Sequence, residues 1–259
     1  MNCTRAIRSG LNALLLSLVL WSGIPTIVQA ADCVWTGQQS TAFFEAGNWS
    51  DCNGSTGTEP PEADDSVTIQ NVNNDPVITV NTTIATLILR ANGLLQVDTD
   101  AVLTVGNFNW QGGVLRGEGR TVANEMSLST TASKTLNGHT LDNAGTATWL
   151  DGNISLADGA TLNNLDGALF DIHTNNSMSA GAGENPVAFN NAGTARKSDG
   201  NTNQVLVPFH NTGTVEALLP TQFNGGGTNS GIFDIGENGT IQLSGIHTIE
   251  PPAVVTGTG

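Results

Sequence analysis

Basic residues are scarce in this sequence, and long apolar or helical stretches are scarcer still. Lys and Arg make up 8 of 259 residues against 23 Asp and Glu, a formal net charge of −15. Phosphate backbones and anionic lipid surfaces need Lys and Arg to neutralise them, so neither nucleic acid nor an acidic membrane is an expected partner. Beyond the first thirty residues no segment approaches the roughly 18 continuous apolar residues of a spanning helix. No membrane insertion of the mature chain is therefore expected. No i, i+3, i+4, i+7 apolar pattern persists for three turns, which excludes a helical domain. HExxH, GxSxG and phosphate-binding glycine loops are also missing. Charged residues are only 12 %, and together with 38 % apolar residues this separates the chain from acidic disordered sequences. Its polarity comes from Asn, Thr, Ser and Gly.

What is present begins with an export signal. Arg5 and Arg8 form a basic n-region, Leu11 to Leu20 an apolar h-region, and Val28-Gln29-Ala30 has small residues at −3 and −1 of a cleavage site. The apolar run is too short for an anchor helix and is interrupted by Gly23 and Pro25. Residues 1–30 are expected to be a signal peptide, and the protein to be exported to the extracellular space or cell surface, with the periplasm as transit. Asp32 before Cys33 argues against a lipoprotein cysteine. Cleavage removes two of the eight basic residues and no acids, leaving 6 against 23 and a net charge of −17. It also leaves two cysteines, Cys33 and Cys52, nineteen apart. In an oxidising compartment such a pair is most simply a disulfide. The rival, a two-cysteine metal site, lacks nearby histidines.

The texture changes near residue 65. Residues 31–65 are turn-rich and anchored by Trp35, Phe43, Phe44 and Trp49, which reads as an N-terminal cap. From Ser66 the chain becomes short β-branched or aliphatic runs bounded by Gly, Asn and Asp, such as Leu94-Leu95-Gln96-Val97 and Val102-Leu103-Thr104-Val105. A motif recurs within them: Leu141-Asp142-Asn143-Ala144-Gly145-Thr146, then Leu162-Asn163-Asn164, Phe189-Asn190-Asn191-Ala192-Gly193-Thr194, Phe209-His210-Asn211-Thr212-Gly213-Thr214, and a degenerate copy at Asn229-Ser230-Gly231. Its asparagines stand at 143, 164, 191, 211 and 229, with intervals of 21, 27, 20 and 18. A period near twenty is a solenoid signature; a leucine-rich repeat would need a fixed leucine consensus, and propeller blades need about forty residues. The expected fold is all-β, a right-handed parallel β-helix over 66–250, with 251–259 a tail or the start of a further coil. Asn143, Asn164, Asn191, Asn211 and Asn229 are expected at turns, where asparagine tolerates left-handed backbone, with their amides bonded coil to coil in a ladder. The glycine two positions later is expected to supply a positive φ.

Several stretches resemble a known class. The NxGT units, Trp149-Leu150-Asp151-Gly152-Asn153-Ile154-Ser155-Leu156 and Gly239 to Ile249 are similar to repeats of bacterial secreted and surface proteins with a pectin-lyase-like right-handed β-helix, such as autotransporter passengers and adhesins. Trp35-Thr36-Gly37, Gly47-Asn48-Trp49-Ser50 and Asp64 to Ile69 resemble their cap and first coil. The resemblance implies the fold and not the activity, because this fold carries lyases, adhesins and passive stalks. Members of the class commonly run on for several hundred residues, and Val254 to Gly259 resembles the opening of another coil. The sequence is accordingly expected to be a fragment; the alternative is that Pro251-Pro252 ends the solenoid.

No catalytic or metal-binding set stands out. Lyases of this fold use carboxylates holding Ca²⁺ and a basic residue at the substrate. Here the mature chain offers Arg90, Arg116, Arg120, Lys134, Arg196 and Lys197, with Arg116 and Arg120 flanking an exposed turn and Arg196-Lys197 read as a solvated patch. Glycoside hydrolysis needs two carboxylates at defined separation. Asp64-Asp65, Asp98, Asp100, Asp151, Asp158, Asp166 and Asp171 suit turns better than such a pair. Asp98-Thr99-Asp100 is compatible with a surface Ca²⁺, but no cofactor is otherwise expected. His139, His173, His210 and His247 are scattered, and alternation sends His210 outward. The expected role is structural or adhesive, binding an extracellular glycan or a surface protein; the alternative is a carbohydrate-active β-helix enzyme.

Overall fold

A computed structural model describes residues 30–52 and 59–259; the expected signal peptide, except Ala30, lies outside the described residues. The chain is a parallel β-solenoid of short strands with a single 3-10 turn, Ala46–Asn48, among the described residues. One coil shows how it is built. Leu94–Val97 lays down a first face, a turn leads to the strand Val102–Trp110, and that strand bends at Gly106 to cover a second and a third face. The next coil begins at Gly113–Arg116. First-face strands stack in one sheet of nine, and the second and third faces belong to a sheet of seventeen.

Alternation within each strand sends every second side chain inward. In-register parallel pairing then stacks like positions into columns. On the first face Leu95 pairs with Leu115, Leu115 with Leu136 and Leu136 with Leu156, all fully buried. Burying each leucine contributes about 2–3 kcal/mol, a gain that requires the coil above or below to be present. Further along, Phe170, Phe189 and Phe209 follow one another at ring-centroid distances of 5.2 Å, and Phe209 stacks on Phe223 at 4.1 Å.

The cap segment is continuous with this stack. Asp32–Trp35 pairs in parallel with Ser66–Ile69 and antiparallel with Trp49–Ser50. Cys33 and Cys52 form a disulfide with Cα atoms 4.4 Å apart. Trp35 and Phe43 each meet Trp49 edge-on at 4.9 Å, and all three are buried in the common core. The intervening loop is organised by Asn48, which accepts from Gln39 N–H at 2.8 Å and Ser40 N–H at 2.9 Å and donates to Ala42 O at 3.0 Å. At the other end Val254–Gly257 stacks on Ile232–Ile235, and Ile246 and Val255 are exposed.

Candidate functional site

The repeated asparagines run through the interior as one column at the end of the second face. Asn143 Nδ2 donates to Asn164 Oδ1 at 2.7 Å, Asn164 Nδ2 to Asn191 Oδ1 at 2.7 Å, and Asn191 Nδ2 to Asn211 Oδ1 at 2.8 Å. Each also donates to a carbonyl where the third face of the next coil begins: Leu169 O at 2.8 Å, Thr194 O at 3.0 Å and Thr214 O at 3.0 Å. The same column holds Ile84, Val105 and Ala123 in earlier coils, where the strand runs through the bend unbroken. At Asn143 the strand Thr140–Trp149 still runs through, with a register shift between Asn143 and Thr146; from Asn164 on it breaks into two, Thr161–Asn164 and Leu169–Ile172 for example, and the side-chain amide satisfies carbonyls at the bend. Asn211 and Asn229 are paired in register, yet Asn211 Nδ2 and Asn229 Oδ1 have no hydrogen-bond partner, and Ile249 continues the column.

Two expectations about this motif are corrected. None of the five asparagines has a positive φ; they are strand residues. In the Asn-x-Gly copies the glycine that follows is required by space and not by φ, whereas Gly167, after Asn164, has the expected positive φ of 77° and open space around it. A Cβ on Gly193 would lie 2.2 Å from Ala168 O, and one on Gly213 2.1 Å from Gly193 O. At Gly193 and Gly213 the bend brings successive coils too close for any side chain.

Buried polar groups lie where spacing did not reveal them. Lys197, expected in a solvated patch, is 1 % exposed, and its ammonium donates to Thr174 O at 2.7 Å and to Asp199 O. Lys134 is likewise buried and donates to Thr130 O, Ala132 O and Asp151 O at 2.8, 2.9 and 2.9 Å. Burial pushes both lysines down to about 8, against the pull of Asp151 on Lys134 and of Asp199 on Lys197. They remain charged at neutral pH, so Lys134 brings three protons to three carbonyls of one corner. His139 is buried between Gly117 O, 3.1 Å from Nδ1, and Thr121 Oγ1, 2.9 Å from Nε2. A carbonyl only accepts, so the proton of the neutral ring is assigned to Nδ1 and Nε2 accepts from Thr121. Burial holds this imidazole at about 4.

The outer surface carries its own columns. On the second face Asn163 Nδ2 donates to Asp142 Oδ1 at 2.7 Å and Asn190 Nδ2 to Asn163 Oδ1 at 2.8 Å. His210, outward between buried Phe209 and Asn211, meets Thr228 Oγ1 at 2.8 Å, and Arg120 pairs with Asp142. On the first face Gln204 donates to Gln222 at 3.0 Å and Gln222 to Gln242 at 3.1 Å. The third face holds a charged group: Arg196 Nε meets Glu216 Oε2 at 2.6 Å and its Nη1 lies 3.9 Å from Asp171, which His173 approaches at 3.2 Å.

Two grooves follow the corners. One of ≈ 410 Å³ is lined by Arg116, Glu118, Asn137, Asp158 and Asn185 among others; Arg116 there donates to Gln96 at 2.8 Å and Asn185 to Asp158 at 2.8 Å. The other, ≈ 610 Å³, runs along the Asn-x-Gly-Thr bends and is lined by Thr194, Thr212, Thr214, Ser230 and glycines. Asp98 accepts from Gln96 at 2.7 Å, and Asp100 has φ 67° in a turn. Among the described residues no three His, Cys, Asp or Glu gather as a metal site, and no helix is long and apolar enough to cross a membrane. A disulfide in the cap is consistent with an oxidising compartment.

No protein-family model matches this chain, and comparison with curated proteins and with solved structures likewise returns no match.

Proposed function

We propose that this is an exported protein of the extracellular space or cell surface, related to the pectin-lyase-like adhesins it resembles, whose β-helix is a rigid recognition rod for a neutral glycan. The observation that carries the reading is the groove along the Asn-x-Gly-Thr bends. Its glycines hold the floor low while two short hydroxyl columns line it, Thr194 beside Thr214 and Thr212 beside Ser230. Parallel strands repeat at about 4.8 Å, so within each column the hydroxyls of neighbouring coils stand at a fixed spacing that suits a repetitive ligand. The flanking amide columns are already bonded to one another and lose little side-chain freedom on binding. A mature net charge of −17 favours neutral over acidic polysaccharides.

A second reading, a carbohydrate-active enzyme, draws on Asp171, His173, Arg196 and Glu216 on the third face. Arg196 lies against both carboxylates there, an arrangement that equally serves to tie three coils together. A panel of immobilised and soluble polysaccharides separates the readings. Retention of the purified mature chain without release of reducing or unsaturated ends is expected, weakened by Thr214→Val; turnover of any polysaccharide would replace the adhesive reading with the enzymatic one.

A further inference from the structure

Asp65 is a buried carboxylate with no cationic side chain. It is 0 % exposed. Its Oδ2 accepts from Glu62 N–H at 2.7 Å, and its Oδ1 lies 2.7 Å from the backbone nitrogen of Ala31. Downstream of Ala30 the chain has only six Lys and Arg, all within the described residues. Arg120 is paired with Asp142, and Arg196 with Glu216 and Asp171. Lys134 and Lys197 are bonded to corner carbonyls, Arg116 to Gln96, and Arg90 is exposed. Among the described residues no Arg, Lys or His forms an ion pair with Asp65. Burying a carboxylate without a cation is costly, and two hydrogen bonds from neutral amides offset only part of that cost.

We propose that removal of the leader supplies the missing cation: the new α-ammonium of Ala31 is the buried counter-ion of Asp65. The inference rests on the export reading above, through its cleavage site after Ala30. Hydrolysis breaks the bond between the Ala30 carbonyl carbon and the Ala31 nitrogen. The hydroxyl of water goes to Ala30, and the nitrogen takes a proton from water. An α-amine of ordinary pKa about 8 then binds a further proton at neutral pH. The nitrogen need not move, because Ala31 is already held as the start of the first rung: its carbonyl accepts from Ser66 N–H at 2.8 Å, and Asp32–Trp35 pairs with Ser66–Ile69. Ala30 is exposed and Ala31 half-buried, so the chain crosses from solvent into the cap at this bond. A neutral amide contact thereby becomes a charge-assisted one, the stronger kind of hydrogen bond. Export and closure of the cap are coupled through one atom.

The test compares four proteins: the mature chain beginning at Ala31, the same chain with Gly-Ser ahead of Ala31 so that its nitrogen stays an amide, and both again with Asp65→Asn. The extension is expected to lower the melting temperature of the unmutated protein by about 5 °C and that of the Asp65→Asn variant by less than about 1 °C. Equal shifts in both backgrounds, or none, overturn the ion pair. Should Asp65→Asn fail to fold, nuclear magnetic resonance titration of the Ala31 amine in the unmutated mature chain decides instead. A value raised above about 8 supports the pair, and an unshifted one overturns it. The N-terminus of protein recovered from an exporting cell is a separate measurement. A start at Ala31 supports the proposal; an intact leader overturns the export reading; cleavage elsewhere leaves export standing and overturns the proposal.

Discussion

A side-chain amide inside a solenoid costs free energy unless both its donor and its acceptor are met. Asn191 meets that condition from both sides. It accepts from Asn164 and donates to Asn211 and to Thr214 O. Asn229 does not: its Oδ1 is unpartnered, and its Nδ2 reaches His247 Nδ1 only at 3.3 Å. The two positions look alike in the repeat and differ in energetics. Asn191→Leu, close in volume, is expected to destabilise by about 3 kcal/mol because it strands the Asn164 amide, the Asn211 carbonyl and Thr214 O. Asn229→Leu, next to Ile249, is expected to stay within about 1 kcal/mol of the parent. Urea denaturation of both variants checks the contrast, and equal losses would show that the column is not read rung by rung.

Corners are the elements where a β-helix leaves carbonyls without strand partners. Two solutions occur here. At the bend between second and third faces a side-chain amide takes them; at the turn leading to the first face a buried ammonium does. Lys134 collects Thr130 O, Ala132 O and Asp151 O, so it ties the turn ahead of its own strand to the equivalent turn one coil on. Asn176 strengthens that second turn by donating to Asp151 at 2.8 Å. Lys134→Met keeps most of the aliphatic stem and removes all three bonds. A loss of about 3 kcal/mol is expected, read as a lower urea midpoint with an unchanged slope. Lys134→Arg should not restore it, since a planar guanidinium cannot direct three protons at carbonyls around a single nitrogen.

Across the whole molecule, acid acts through His139. Its imidazole is held at about 4 in the fold against an ordinary value near 6.5, so the unfolded chain binds the extra proton between those values. Stability from this site is complete above about pH 6.5 and is lost as pH falls towards 4, a change on the order of 3 kcal/mol. Lowering pH also relieves the self-repulsion of a chain with a net charge of −15, which works in the opposite direction. The comparison that isolates the histidine is therefore His139→Leu, less stable than the parent at pH 7 but with a flatter decline between pH 6.5 and 4. Parallel declines in the two proteins would remove His139 as the cause.

Much of this architecture was legible in one dimension. The intervals of 21, 27, 20 and 18 between asparagines are the coil lengths themselves, because each coil must return to the same column before it can pair. Short alternating strands bounded by Asn, Asp and Gly required an all-β stack, and two cysteines nineteen apart suggested the bond that closes the cap. Periodicity says which residues lie above one another. It does not say how closely the coils approach, or where their carbonyls point. Those belong to the three-dimensional stack, and they decide that Gly193 and Gly213 serve clearance and not a left-handed turn. The same stack places Lys197, which read as a solvated charge, beneath corner carbonyls, and Lys134 with it. It also turns Asp65, which read as a turn residue, into a buried anion facing the nitrogen of Ala31. Sequence by itself determined the repeat and the direction of stacking, through the spacing of side chains along a strand. Tertiary structure decided which polar groups are buried and what each must bond, because desolvation depends on the neighbouring coils as well as on the residue's own.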